Sequence, residues 1–247
     1  LEATIRRSLE LGINHIETAR GYGSSEMQLG YVLPKLPRDE LIVQTKVVPF
    51  ATQKEFLDTF DKSMEYLKMD HVDLLSLHGI NNAQFLDWSL RKGGCVDAIH
   101  KLIDEGRARH IGFSSHASTY IIQSAIESDA FEYVNLHWYF VNDLNWSCIE
   151  AAAQRDMGVF IISPNDKGGR LYAPPPKLVD QQPERHQARE AEFRGIWALA
   201  DLRNDRIRAV TGVEFRPFDE SLRDCVESLI SVAGVQPKRR ENFQPVN

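Results

Sequence analysis

With 247 residues, 43% of them hydrophobic and 26% charged, and a formal net charge of -6, the chain is no disordered polymer, which would combine low hydrophobicity with a far larger charge imbalance. Its acidic balance argues against nucleic acid or an anionic membrane as the main partner, and no run of about 18 apolar residues is present to span a bilayer. Cys95, Cys148 and Cys225 stand far apart with no CxxC pair, so neither a disulfide framework nor a metal site is expected, and a reducing, cytoplasmic setting is.

Taken in chain order, residues 1–11 read as a helix already in progress. Short β-like runs then alternate with helical patterns: 13–17, 41–47, 72–77, 110–113, 133–136, 159–162 and 207–210. Thr52 with Glu55 forms a capping box, after which Phe56, Phe60, Met64 and Leu67 recur at helical spacing. Val96, Ile99, Leu102 and Ile103 do the same, with Gly106 as a stop signal. Residues 174–189 break the rhythm with Pro, Gln and charge and read as a long surface excursion. Asp219 is placed to cap a last helix carrying Leu222, Val226, Leu229 and Ile230.

Strand and helix in strict alternation mean parallel strands joined by crossover helices. An open dinucleotide-binding sheet would carry a GxGxxG turn after its first strand, and the chain has none there. Polar residues cluster where strands end (Glu17, Lys46, His78, Ser114, Asn135, Ser163), as in a barrel that builds its site on one rim from several strands. The expectation is therefore an α/β chain folded as a (β/α)8 TIM barrel over residues 1–235, with a loose tail at 236–247. Seven strands are countable, which puts the first strand of such a barrel upstream of Leu1.

Four of the rim residues belong together chemically. Tyr has a reference pKa of about 10 and is a poor acid at neutral pH. A neighbouring ammonium, Lys46, stabilises the phenolate and brings Tyr22 into a useful range. Glu17 supplies the counter-charge for Lys46, and His78 can hydrogen-bond and orient a carbonyl oxygen. Such a group protonates an oxygen that becomes alkoxide as a cofactor delivers hydride to carbon. Singly, each residue reads as a loop charge, a turn phenol or a capped imidazole. An acid, a phenol, an ammonium and an imidazole on one rim are hard to explain as packing.

The stretch GINHIETARGYGSSE (12–26) resembles the signature of the aldo-keto reductase family. TKV (45–47), LLSLH (74–78), IGFSS (111–115) and IISP (161–164) follow in the family's order, and AVTGVEFRP (209–217) resumes it faintly. The stretch NDKGGRLY (165–172) is similar to a bacterial branch whose members often add a C-terminal iron–sulfur segment; without clustered cysteines, no such cluster is expected here. The resemblance implies NADP(H) as hydride donor and a small carbonyl compound as substrate. It implies a catalytic tetrad of Tyr22 as acid, Lys46 as its partner, His78 as orienter and Glu17 as counter-ion. It further implies Ser114, Ser115 and Asn135 at the nicotinamide carboxamide, Ser163 by the pyrophosphate and Arg216 near the adenosine phosphate.

The chain departs from the family pattern in places. Glu17 stands where Asp is usual, Ser115 where Asn is usual, and Ile162 where an aromatic often stacks on the nicotinamide. Arg223, Asp224 and Cys225 occupy the last phosphate-binding region. Two other readings stay open on sequence: a non-enzymatic, reductase-like module that senses nucleotide or binds a partner, and an unrelated barrel isomerase using Glu17 and Lys46.

Overall fold

A computed structural model describes residues 1–139 and 142–164. The chain divides into two compact units, with Glu2–Ile13 in one and the described residues from Asn14 onward in the other. In the first, helix α1 (Glu2–Glu10) is supported by an Arg6–Glu2 pair one turn apart at 2.9 Å. It stops at Gly12, whose φ of 80° is the left-handed value a glycine C-terminus uses. The Ile13 N–H turns back to the Ser8 carbonyl at 2.8 Å.

The second unit is built on six strands among the described residues: β1 (His15–Glu17), β2 (Ile42–Val47), β3 (Val72–Leu77), β4 (Ala108–Ser114), β5 (Tyr133–Leu136) and β6 (Gly158–Ile161). They form one sheet in chain order, every neighbouring pair parallel. Between them run α2 (Ser25–Gly30), α3 (Gln53–Leu67), α4 (Ala83–Leu90), α5 (Cys95–Asp104), α6 (Thr119–Glu127) and α7 (Trp146–Gln154), with α4 and α5 both falling between β3 and β4.

The sheet is curled. Neighbouring strands lie about 4.8 Å apart, so β1 and β6 would stand roughly 24 Å apart in a flat sheet. Instead the His15 and Phe160 rings meet with centroids 5.0 Å apart, and the Asn135 amide on β5 reaches the Glu17 carboxylate on β1 at 3.4 Å. Side chains one residue out of phase face the helices. Val43, Val47, Leu75, Leu77, Phe113, Val134 and Leu136 are wholly buried there, with Phe56, Phe60 and Leu67 of α3 and Ile99 and Leu102 of α5. Six consecutive parallel strands curled into a half-barrel are what a TIM barrel requires of this much chain.

Two glycines permit the packing. A Cβ on Gly112 would lie 2.3 Å from the Tyr133 ring on the adjacent strand, so only a residue without a side chain lets that phenol fill the interior. A Cβ on Gly30 would lie 2.0 Å from the Tyr66 carbonyl, which is how α2 and α3 come so close.

The strand windows read from sequence hold for all six described strands, with ends shifted by up to two residues. The Thr52 cap is present, its hydroxyl accepting the Glu55 N–H at 3.3 Å and donating to the Glu55 carboxylate at 2.7 Å. Gly106 ends α5 at φ 73°. The seventh strand at 207–210, the excursion at 174–189, the helix after Asp219 and the tail at 236–247 lie outside the described residues.

Candidate active site

Parallel strands bring all their C-terminal ends to one rim. Glu17 is the last residue of β1, Lys46 lies in the last turn of pleat of β2, His78 follows β3 directly, Ser114 ends β4 and Asn135 sits within β5. Pairing continues past the end of β1: the Thr18 N–H donates to the Gln44 carbonyl and the Arg20 N–H to the Lys46 carbonyl, each at 2.9 Å. This carries the turn bearing Tyr22 along the end of β2.

Lys46 is 1% exposed. Its Nζ lies 2.5 Å from Glu17 Oε1, donates to the Thr18 carbonyl at 3.0 Å, and stands 3.4 Å from the Tyr22 hydroxyl. A buried ammonium needs this set of acceptors, and the longer Glu17 side chain reaches it. Tyr22, half exposed, presents its ring edge-on to His78, with centroids 5.4 Å apart at 88°. The four residues expected to act together are thus together.

Burial holds the His78 imidazole down to about 4, with the nearby Lys46 ammonium and His116 adding to the effect and Glu17 opposing it. The ring is therefore neutral at pH 7. Its Nδ1 is buried without a hydrogen-bond partner among the described residues. An orphaned buried polar atom beside a buried ammonium marks a place made for something other than packing.

Around the four runs a polar layer that single residues gave no reason to suspect. The His15 Nε2–H donates to Gln44 Oε1 at 3.0 Å. The Gln44 amide donates to Ser76 Oγ at 2.9 Å and to Asn135 Oδ1 at 3.0 Å, and Ser76 shares a hydrogen bond of 2.9 Å with the Tyr133 hydroxyl. Burial lowers the His15 imidazole, keeping it the neutral donor this layer needs, and raises the Tyr133 phenol, which stays protonated. The signal for Gln44 was its alternation with Lys46 on β2, one pleat deeper in the same interior.

The expected cofactor residues divide. Ser114 Oγ accepts the Gly79 N–H at 3.0 Å, leaving its O–H to donate. Ser115 Oγ donates to the Ile80 carbonyl at 2.7 Å and accepts the Ala117 N–H at 3.1 Å, so its hydroxyl is committed to the turn. Asn135 joins Gln44 to Glu17. Ser163 follows β6 at φ 51°, in a left-handed turn, and the carbonyl of the preceding Ile162 pairs with His137 Nδ1 at 3.0 Å. Arg216 lies outside the described residues.

The aldo/keto reductase family model matches residues 1–211. The chain belongs to the aldo/keto reductase family. Among relatives, L-galactose dehydrogenase of Arabidopsis thaliana is 30% identical over 202 residues, covering 76% of this chain and 62% of its own length. L-glyceraldehyde 3-phosphate reductase of Escherichia coli is 26% identical over 131 residues, covering 47% of this chain and 36% of its own length. The chain thus spans less than two thirds of these relatives. A solved aldo/keto reductase from Klebsiella pneumoniae in complex with NADP and acetate superposes with a TM-score of 0.59 at 22% identity, over 74% of this chain and 65% of that one. That likeness is one of fold. Among the described residues no helix is long and apolar enough to cross a membrane.

Proposed function

We propose that this aldo/keto reductase family member reduces a small carbonyl compound to an alcohol with NADP(H), Tyr22 acting as the general acid. The observation that carries the reading is the buried Lys46 ammonium, 2.5 Å from Glu17 and 3.4 Å from the Tyr22 hydroxyl. An ammonium beside a phenol stabilises the negative charge left on oxygen when the proton departs. Neutral His78, across the Tyr22 ring, donates a hydrogen bond to the carbonyl oxygen and orients it without adding a second charge beside Lys46. Glu17 and the Thr18 carbonyl hold the Lys46 amine in place, so the site meets the developing alkoxide already organised.

The rim fits a nicotinamide nucleotide at its nicotinamide end. A carboxamide asks for a donor and an acceptor; Ser114 keeps its O–H to donate, and its register partner Asn135, already joined to Gln44 and Glu17, lies beside it with one amide proton and one lone pair to spare. In this reading Ser115 holds the turn and Ser163 stands by the pyrophosphate. When bound, the nucleotide supplies hydride to the carbonyl carbon. Its presence in the related Klebsiella pneumoniae structure supports the assignment, as do reductases among the relatives.

The test is NADPH oxidation with a panel of aldehydes and ketones. The parent chain turns over at least one of them, and Lys46→Met lowers kcat by about 10²–10⁴-fold, the range of lost acid–base assistance. A chain that quenches NADPH fluorescence yet oxidises it with no carbonyl is a non-enzymatic module instead.

A further inference from the structure

The distance between the Tyr22 hydroxyl and the Lys46 ammonium governs how strongly one acts on the other. Lys46 is fixed by β2 and its acceptors. Tyr22 sits half exposed in the turn between β1 and α2.

We propose that Glu26 is the positioning residue that sets this distance. Glu26, in the first turn of α2, is 1% exposed although charged. Its Oε2 accepts from Arg20 Nη1 at 2.8 Å and its Oε1 from Thr45 Oγ1 at 2.7 Å. Arg20 lies two residues before Tyr22 and Glu26 four residues after it, so the first bond closes the turn across the phenol. Thr45 is the strand neighbour of Lys46, so the second bond pins the closed turn to the strand that carries the ammonium.

The Arg20 backbone N–H on the Lys46 carbonyl, the Arg20 guanidinium 4.2 Å above the Tyr66 ring, and a 2.8 Å bond between Thr18 Oγ1 and Ser25 Oγ complete the clamp. A buried carboxylate is tolerated only where its charge is answered. Here both answering groups belong to the two segments whose separation governs the acid, and neither touches the reacting atoms.

The inference rests on Tyr22 as the acid, and the experiment separates the two. Glu26→Gln keeps the shape and can still bridge Arg20 and Thr45, but without the charge that grips the guanidinium. If the turn relaxes until phenol and ammonium are about 5 Å apart, the attraction between them falls by roughly the equivalent of tenfold in equilibrium.

The expected result with NADPH and 4-nitrobenzaldehyde is a kcat about tenfold lower with KM and NADPH affinity within about twofold. The basic limb of the kcat/KM profile moves upward, as expected when a general acid loses a neighbouring cation. Carbon-13 NMR of labelled tyrosine, with Tyr22→Phe assigning the resonance, reads the same upward displacement without turnover. Thr45→Val, which removes only the second tether, moves both readouts in the same direction and serves if Glu26→Gln does not fold. Unchanged pH profiles and an unchanged Tyr22 titration in both variants overturn the proposal, since loss of bulk stability alone would leave them where they are. If Tyr22→Phe keeps full turnover, the acid assignment fails instead.

Discussion

Lys46 shows how a single side chain can define a site. A wholly buried ammonium is costly unless every proton finds an acceptor, and the acceptors here are the Glu17 carboxylate, the Thr18 carbonyl and the Tyr22 hydroxyl. Two of these come from the segment leaving β1, so the charge ties that segment to β2. The same charge acts on His78. Burial first, then Lys46, disfavours the imidazolium and brings His78 down to about 4, against about 6.5 in an unfolded chain. Between those values the unfolded state binds the proton and the folded state does not. His78 thus withdraws stability as pH falls from about 6.5 toward about 4, and has no such effect above that window. The expected outcome for His78→Gln, which cannot titrate, is a smaller loss of urea midpoint between pH 7 and pH 4.5 than the parent shows. Equal losses in the two proteins would contradict the assignment of a neutral, half-buried ring.

At the scale of elements, the interior of the sheet is a polar layer flanked by small and aromatic residues. Gly112 and Tyr133, register partners on β4 and β5, are its tightest joint. Gly112→Ala would drive a methyl into the Tyr133 ring, which also holds the hydrogen bond to Ser76. The expected loss is about 1–3 kcal/mol, the usual penalty of overpacking, read as a lowered urea midpoint at unchanged m-value. A variant as stable as the parent would mean the ring has room to move.

Much of this scale was legible in the sequence. Buried parallel strands show as apolar runs, as β2, β3, β4 and β5 do; β1 and β6 are only half-buried, and their windows hold as short apolar runs. The start of β4 escaped notice because Arg109 interrupts the pattern; the structure engages it with Asp73 at 2.9 Å. The short helix α4 buries little more than Ser89 and so carries no clear stripe. The four rim residues could be read because parallel strands put their ends together. Alternation with Lys46 puts Gln44 in the interior, but its bond to Asn135, that of Ser76 to Tyr133 and the Glu26 contacts could not be read, because each depends on a partner brought close only by the curl of the sheet or the closing of a turn.

For the whole molecule, the site exists because the sheet curls. Glu17 and Asn135, 118 residues apart, meet at 3.4 Å across a half-barrel, and a flat sheet of the same strands would hold no such group. The chain carries a net charge of -6, and its strand-end rim holds one buried, paired ammonium, Lys46, beside the Tyr22 hydroxyl. Family membership and fold agree with that reading, while the chemistry rests on whether the phenol beside that ammonium is the proton donor. The most direct measurement compares parent and Tyr22→Phe for NADPH oxidation with an accepted aldehyde, and for NADPH binding by fluorescence quenching. The predicted result is turnover reduced by about 10² to 10⁴ with cofactor affinity within about twofold. Full turnover by Tyr22→Phe would contradict it.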